Sequence, residues 1–187
     1  NRSGEPFRVF TPFWRTLLAG GDLRTPIPAP RHLSKPKRWP ASDNFDDWQL
    51  LPQNPDWAGG LRATWEPGEG GAARRLAVMI DERLTCYATD RDRPDRPGTS
   101  MLSPHLHFGE MSPHQFWQAV DFERERDPSR AAGAAALLRE LGWREFSYHL
   151  LHHWPTLPEA SFRPEFNSFP WESDDAELRA NLAAWSR

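Results

Sequence analysis

Apolar residues recur at helical spacing in two stretches of the chain. Between residues 71 and 92 they lie three and four positions apart, which predicts one face of an amphipathic helix. The second stretch begins after Pro128 with a run of alanines, the residues of highest helix propensity. It ends at Trp154 and Pro155, because the residue before a proline disfavours helical backbone. The pattern therefore predicts a long helix from Pro128 to His153.

Three shorter elements are predicted around these two helices. Residues 7–10 have the apolar character of a short strand, and Thr11, followed by a proline, is a typical helix start. Ser112, also followed by a proline, opens another helix, and Asp174 opens the last one. Most of the predicted structure is therefore helical.

Prolines are spread through residues 21–70 and exclude both a continuous helix and a central strand there. An irregular stretch of this length is unusual inside one domain, so we interpret it as an interdomain linker. A proline-rich ligand for a partner protein is the alternative. Four tryptophans are expected to anchor the linker to a surface: Trp39, Trp48, Trp57 and Trp65.

Aromatic side chains are abundant, with 10 Trp and 11 Phe among 187 residues of which 38% are hydrophobic. Such rings either fill a helical core or form a surface that stacks flat ligands, and composition alone favours the core. The net charge of −3 does not indicate a basic nucleic-acid-binding domain. The arginines in the middle third of the chain are nevertheless compatible with a local basic patch.

The number of cysteines indicates the cellular compartment, and the first residues bear on whether the chain is a fragment. Cys86 is the one cysteine, which excludes an internal disulfide and a site of several thiolates, so we expect a reducing, cytoplasmic location. No apolar run is long enough to cross a bilayer, and no signal-peptide pattern is present. Because the chain opens at Asn1 in the middle of a pattern, we expect a fragment of a longer protein.

Hydroxyl side chains cluster between Gly98 and Pro104. Thr99 and Ser100 precede Ser103, which with the following proline forms a typical N-cap and helix start. The unpaired N–H groups and the dipole of a helix start attract anions. The loop therefore either caps a helix or holds a phosphate, and the pattern alone leaves both interpretations open.

Within the long helix, Glu140, Trp143 and Ser147 share one face. Tyr87 and Arg91 lie one turn apart at the end of the first apolar stretch. By spacing alone, each of these residues has an ordinary structural explanation. Glu140 would be a solvated acid and Trp143 a core indole. Tyr87 would be a buried phenol and Arg91 a solvated arginine. The adjoining apolar face of the long helix is expected to comprise Leu137, Leu141, Tyr148 and Leu151.

Charged and imidazole side chains lie towards the end of the long helix. Arg144 and Glu145 offer a charge pair. His149 and His153 are four positions apart, a spacing that can ligate a metal, but no acidic or cysteine partner has matching spacing. Because histidine is also favourable near a helix C-terminus, we predict no metal site.

Three segments together resemble the DNA photolyase/cryptochrome family, most closely the bacterial cyclobutane pyrimidine dimer photolyases. PFRVFTPFWR resembles the end of the family's antenna domain, and PGEGGAARRL with RDRPDRPGTSMLSPHLHFGEMSP resembles the opening of its flavin domain. ELGWREFSYHLL resembles its lesion-contacting helix. The resemblance implies a mainly α fold. Residues 1–20 would end an α/β antenna domain, 21–70 would be a linker, and 71–187 would form the first half of a helical FAD-binding domain.

The resemblance also implies the ligands and their residues. FAD is the implied cofactor, DNA containing pyrimidine dimers is the implied partner, and the protein is expected to act as a monomer. A folate-type or deazaflavin-type antenna chromophore is expected in the longer parent protein. The implied cofactor-binding residues are Tyr87, Thr99, Ser100, Met101, Leu102 and Ser103. The implied catalytic residues are Glu140 and Trp143, and the implied DNA-binding residues are Arg91, Glu140, Trp143, Arg144 and Ser147.

The function implied is light-dependent repair of cyclobutane pyrimidine dimers, a carbon–carbon lyase reaction in which reduced FAD donates an electron. A flipped-out dimer can stack on Trp143, worth ~1–3 kcal/mol per base. Glu140 can accept from a pyrimidine N–H, or donate if protonated. Repair enzymes for 6-4 photoproducts usually carry Gln at the position of Glu140, and plant-type cryptochromes usually lack this Glu–Trp pair, so both comparisons favour dimer repair. A blue-light flavin photoreceptor and an inactive truncated product remain alternatives.

Overall fold

The computed structural model describes residues 4–21, 23–170 and 174–186. Within these ranges every regular element is helical and no strand occurs, which confirms the mainly α prediction. The α-helices are α1 Phe10–Ala19, α2 Gly59–Thr64, α3 Glu69–Val78, α4 Tyr87–Asp90, α5 Ser103–His107, α6 Pro113–Arg126, α7 Ala131–His153 and α8 Asp175–Trp185. A π-helical turn spans Met79–Arg83, and 3-10 turns span Phe45–Trp48, Leu84–Cys86, Pro128–Arg130 and Pro164–Ser168.

The chain divides into two compact units. One comprises residues 20–142, and the other comprises residues 1–19 together with residues 143–187. The two units are defined by how their residues pack. They do not test the predicted domain boundaries at residues 20 and 70, which stay a prediction. No helix in the described ranges has both the length and the apolar character needed to cross a membrane.

The core of the unit formed by residues 20–142 lies among α3, α4, α6 and the first half of α7. Gly133 lets α7 approach this core closely, because a Cβ added there would lie 1.6 Å from the carbonyl oxygen of Leu84. The contact is thus made backbone to backbone. The buried cluster comprises Ala72, Met79, Leu84, Tyr87, Leu102, Met111, Phe116, Val120, Ala134, Leu137, Leu138 and Leu141.

The single helix expected over residues 71–92 is wrong in detail, because a π turn and a 3-10 turn separate α3 from α4. Met79 and Leu84 are both fully buried and lie five positions apart. In an uninterrupted α-helix, such positions point about 140° apart around the axis. The wider π turn, which adds a residue to the helical repeat, turns both side chains into one core.

The stretch 21–70 is largely irregular, as predicted, and in the part of it that is described it contains two short helical segments before α3 begins at Glu69. The expectation that its tryptophans anchor it is wrong for three of the four. The side chains of Trp39, Trp48 and Trp57 are exposed. Of the four, only Trp65, which directly follows α2, is partly buried. Trp48 ends the 3-10 turn Phe45–Trp48, and its ring lies 5.9 Å from that of Phe45, which is itself exposed.

Local capping signals have mixed outcomes. Ser112 forms a complete capping box with Gln115 at the start of α6, and the Asp174 carboxylate caps α8, as predicted. The short strand over residues 7–10 is wrong, since Phe10 already begins α1 and buries its ring. Ser103 is not the N-cap of α5 but its first residue, and Leu102 at the cap position makes no side-chain cap bond.

Candidate functional site

The loop that carries the clustered hydroxyls is fixed at its entrance by backbone contacts. Gly98 is buried, and a Cβ added to it would lie 2.2 Å from the carbonyl oxygen of Asp90. At the next residue, the Arg83 guanidinium donates a hydrogen bond of 2.8 Å to the carbonyl oxygen of Thr99. The loop therefore starts from a close backbone crossing and has a cation beside it.

The middle of this loop adopts an unusual backbone conformation. Met101 has a φ of +53°, and Leu102 returns to right-handed backbone with its side chain in the core. Adjacent left-handed and right-handed residues turn successive N–H groups to one side, which forms a concavity for anions. The Ser100 hydroxyl accepts a hydrogen bond of 3.3 Å from the N–H of Leu102.

Two hydroxyls of the loop are available to a ligand. Thr99 and Ser103 are exposed, and neither hydroxyl has a hydrogen-bond partner in the part of the chain that the structure describes. Helix α5 has only five residues, so its dipole adds little to anion binding. The binding capacity of the loop therefore resides in its two exposed hydroxyls and the neighbouring Arg83.

Tyr87, Arg91 and Glu140 form a cluster at the surface of the same unit. The Arg91 Nη1 donates to Glu140 Oε1, and the guanidinium lies 5.8 Å from the centre of the Tyr87 ring. Both charged side chains are about one-third exposed or less, whereas Tyr87 is buried. The hydrogen bond to Glu140 raises the pKa of Arg91. Glu140 Oε2 has no partner among the described residues and can therefore receive a ligand N–H.

Burial dominates the titration of Tyr87 and raises its pKa above 10.0. The positive charge of Arg91 opposes this shift, while the negative charge of Glu140 adds to it. The phenol is therefore held in its neutral form and can donate or accept a hydrogen bond at physiological pH.

Trp143 belongs to the other unit and lies in an aromatic cluster with residues of α1. Its ring is stacked on Phe10, with a centroid distance of 3.6 Å and an angle of 10° between the planes. The ring of Phe146 meets Trp143 edge-on at 6.0 Å and 69°. Trp143 remains 44% exposed, so the indole is supported from one side and open to a ligand on its remaining surface.

The residues that follow Trp143 are bound mainly within helix α7. Arg144 pairs with Glu145 at 2.9 Å, as predicted, and its guanidinium lies 4.7 Å from the centre of the Tyr148 ring. The Ser147 hydroxyl donates to the Trp143 carbonyl oxygen at 2.9 Å. Leu137 and Leu141 are buried, but Tyr148 and Leu151 are exposed, so the predicted apolar face is wrong in its second half.

The histidines near the end of α7 do not assemble a metal site. In the described parts of the chain, no group of three or more histidine, cysteine, aspartate or glutamate side chains could hold a metal. Instead, His149 Nε2 lies 2.9 Å from the backbone nitrogen of Phe7 and accepts its hydrogen bond. Burial, followed by the neighbouring His153, lowers the pKa of His149. The imidazole thus connects α7 to the segment before α1.

Sequence patterns missed two sets of residues. His105 is 2% exposed, and its Nδ1 lies 2.5 Å from Glu110 Oε2. The backbone of Gly68, followed by His105, lowers the pKa of Glu110, so this pair ties α5 to the start of α3. The second is Phe10, which supports Trp143. Neither partnership has a sequence signal, because a histidine–carboxylate pair or a phenylalanine alone does not indicate a site.

Comparison with known proteins gives a consistent result over the whole chain. A family model described as the FAD binding domain of DNA photolyase matches residues 137–187. The deoxyribodipyrimidine photo-lyase of Agrobacterium fabrum is 41% identical over 186 residues, which are 100% of this chain and 38% of that protein. Cryptochrome-2 of Arabidopsis thaliana is 28% identical over 187 residues, covering 95% of this chain and 30% of that protein.

A solved structure agrees with these relatives. The crystal structure of a bacterial class III photolyase from Agrobacterium tumefaciens matches with a TM-score of 0.84 and 42% sequence identity. The match covers 95% of this chain and 36% of that chain. This chain thus spans less than two-fifths of the length of these photolyases.

Proposed function

Because this chain belongs to the DNA photolyase/cryptochrome family, we propose that it supplies the cofactor-phosphate and lesion-contacting elements of a light-dependent DNA repair enzyme. The reaction is the splitting of cyclobutane pyrimidine dimers. The observation that carries the proposal is the placement of Glu140 and Trp143 three positions apart on one uninterrupted helix, both partly exposed. A carboxylate and an indole at this spacing suit a flipped-out pair of bases.

The chain's residues fit the diphosphate of FAD. Thr99 and Ser103 offer uncommitted hydroxyls, and Arg83 provides a nearby positive charge. The Leu102 N–H after the turn at Met101 is already donated to the Ser100 hydroxyl. Ser100 and Leu102 shape the turn, and the neutral Tyr87 offers a hydrogen bond. When bound, reduced FAD supplies the light-driven electron chemistry of the reaction.

The lesion-contacting residues bind and orient the substrate. Trp143 stacks against one base of the dimer. Glu140 accepts a pyrimidine N–H through the oxygen that Arg91 leaves free. Arg144 and Ser147 continue the same DNA-facing stretch of α7. Arg91 belongs to this set, and its bond to Glu140 sets the orientation of the carboxylate.

The broader assignments of the chain follow from the same family. Residues 1–20 end an α/β antenna domain, residues 21–70 form a linker, and residues 71–187 begin the helical FAD-binding domain. We also propose an antenna chromophore of folate or deazaflavin type, a monomeric state and a cytoplasmic location. The family model over residues 137–187 supports the domain at the C-terminal side.

A blue-light flavin photoreceptor is the second candidate function. The 28% identity to Arabidopsis cryptochrome-2 over 95% of this chain supports this second function. Glu140 distinguishes the two functions, since a photoreceptor does not need its carboxylate to hold a dimer. E140Q should therefore abolish selective dimer binding in a repair enzyme and leave flavin retention unchanged in either protein.

The cofactor part of the proposal is tested by flavin retention. We expect the purified chain to retain FAD after gel filtration, measured by its visible absorption. Removing both free hydroxyls, with T99A and S103A together, should weaken retention about 150-fold or more, because each lost bond to a charged group is worth roughly 1.5–3 kcal/mol. T85A removes an exposed hydroxyl outside the loop and is the matched control. Retention equal in both variants would contradict the assignment of the loop.

The lesion part is tested by DNA binding. We expect the chain to bind a duplex with one thymine dimer more tightly than the undamaged duplex, measured by fluorescence anisotropy. W143A should reduce this preference about 5- to 150-fold, from ~1–3 kcal/mol of stacking. E125Q, at an exposed carboxylate on α6, is the control for E140Q. Equal affinity of the unaltered chain for both duplexes would reject dimer recognition by this chain.

A further inference from the structure

Phe10 and Trp143 form a face-to-face aromatic pair. Their ring centroids are 3.6 Å apart and their planes differ by 10°. An indole has two faces, and a parallel ring at this distance covers one of them. Phe10 is only 7% exposed, while Trp143 is 44% exposed. Phe10 is therefore the buried member of the pair and Trp143 the one that reaches solvent.

The position of Phe10 is itself determined by packing. It is the first residue of α1, and its ring meets the buried Phe146 edge-on at 5.9 Å and 68°. Phe146 in turn meets Trp143 edge-on. Trp143 is thus held on one face by Phe10 and at an edge by Phe146, and these contacts restrict the rotation of its indole.

From this geometry we infer that Phe10 is a positioning residue that fixes the indole of Trp143, and thereby sets how strongly the protein prefers damaged DNA. The inference rests on the proposed function, since it gives Trp143 a base to stack against. A pre-oriented indole loses little conformational freedom when a base stacks on it, whereas a freely rotating indole must first be ordered. Phe10 contributes this order without touching the DNA.

The same contact has an opposite interpretation that can be tested. If the base stacks on the face of Trp143 that Phe10 now covers, Phe10 competes with the substrate. Removal of its ring would then improve binding to damaged DNA. The sign of the effect of a Phe10 substitution separates positioning from competition.

Phe13 provides a matched control within the same helix. Its ring contacts Phe146 at 5.2 Å and His149 at 5.4 Å. F10L and F13L therefore remove the same ring from the same aromatic cluster, but only F10L removes the ring stacked on Trp143. F10Y retains that ring and tests rescue. Equal melting temperatures of F10L and F13L would show that any difference between them in function is not a difference in stability.

The first measurement observes Trp143 directly and does not depend on DNA binding. The full chain is labelled with 5-fluorotryptophan, and the ¹⁹F line of Trp143 is assigned by its disappearance in W143F. We expect this line to shift in F10L through loss of the ring current, and to keep its position in F13L and F10Y. An unchanged Trp143 line in F10L would overturn the inference, whatever the DNA result.

The second measurement compares the affinities for the dimer-containing and undamaged duplexes. F10L should lower the preference for the dimer about three- to tenfold, part of the stacking effect of a base on an indole. F13L should leave it unchanged, and F10Y should restore it. An unchanged or increased preference in F10L overturns the positioning role. If the unaltered chain shows no preference, the proposed function fails, and the ¹⁹F result alone then decides whether Phe10 fixes Trp143.

Discussion

At the residue scale, the cluster of Tyr87, Arg91 and Glu140 shows how one hydrogen bond links groups that are distant in sequence. Arg91 and Glu140 are 49 positions apart, and their contact places a positive charge beside the buried phenol. A buried phenol alone would have a strongly raised pKa. Arg91 limits that shift, and Glu140 partly cancels the effect of Arg91. The protonation of Tyr87 therefore depends on both partners.

This dependence predicts the alkaline titration of the chain. The chain has two tyrosines, so in Y148F the phenolate absorbance reports Tyr87 alone. We expect its midpoint above 10.0 in the folded chain and near 10.0 in denaturant. E140Q should lower the folded midpoint and R91M should raise it. Shifts of the opposite sign would mean that the cluster does not form in solution.

The same shift predicts how stability changes at high pH. Because the pKa of Tyr87 is raised in the folded chain, the unfolded chain loses its proton first. The free energy of unfolding should therefore fall as the pH rises from 10.0 towards the folded pKa. Denaturant titrations of the Y148F variant at several pH values measure this fall in the free energy of unfolding. The double variant Y148F/Y87F should not show it.

At the element scale, a glycine and a π turn determine how the helices of the unit 20–142 meet. Gly133 allows α7 to lie against the Leu84 carbonyl. The π turn after α3 directs both Met79 and Leu84 into the core. Together they bring α4, which begins with Tyr87, against the helix that carries Glu140. The site cluster is therefore a consequence of close helix packing.

Substitution of Gly133 tests this packing. G133A places a methyl group against backbone that cannot rotate away, and should destabilise the chain by ~1–3 kcal/mol or more. Gly60 is the matched control, since it is also helical and has open space around its Cβ position. G60A should instead stabilise by up to ~1 kcal/mol. Urea unfolding monitored by circular dichroism measures both, and equal effects would contradict a close contact at Gly133.

At the scale of the whole molecule, net charge constrains the proposed binding to DNA. The net charge is −3, so general attraction to the phosphate backbone is weak. Two arginines belong to the proposed DNA-facing set, Arg91 and Arg144. Under the proposed function, selective binding depends on base contacts such as the proposed stacking on Trp143 more than on charge.

The salt dependence of binding is predicted from this small number of cations. For two neutralised phosphates, log K should fall with log salt with a slope of about −2. R144Q should make the slope shallower by about 1, while R124Q, at an arginine on α6 paired with Asp121, should leave it unchanged. Anisotropy titrations at several salt concentrations measure the slope. A value several units steeper would indicate a basic surface elsewhere in the chain.

Several helix ends in this protein are determined by the local sequence. The capping box at Ser112, the cap at Asp174 and the proline after Trp154 act on backbone groups within a few positions. The same local spacing places Arg91 one turn after Tyr87 and Trp143 three positions after Glu140. These features could be predicted because hydrogen bonds and helical geometry operate between residues that are close along the chain.

Contacts between distant residues were decided only by the tertiary structure. Sequence alone could not predict that Arg91 binds Glu140, that Phe10 stacks on Trp143, or that a π turn interrupts the helix after α3. It also placed Trp39, Trp48 and Trp57 against a surface, whereas they are exposed. Burial and side-chain partners depend on which surfaces the chain brings together, and no local pattern records them. The physical reason is that packing free energy belongs to pairs of elements rather than to a single stretch of residues.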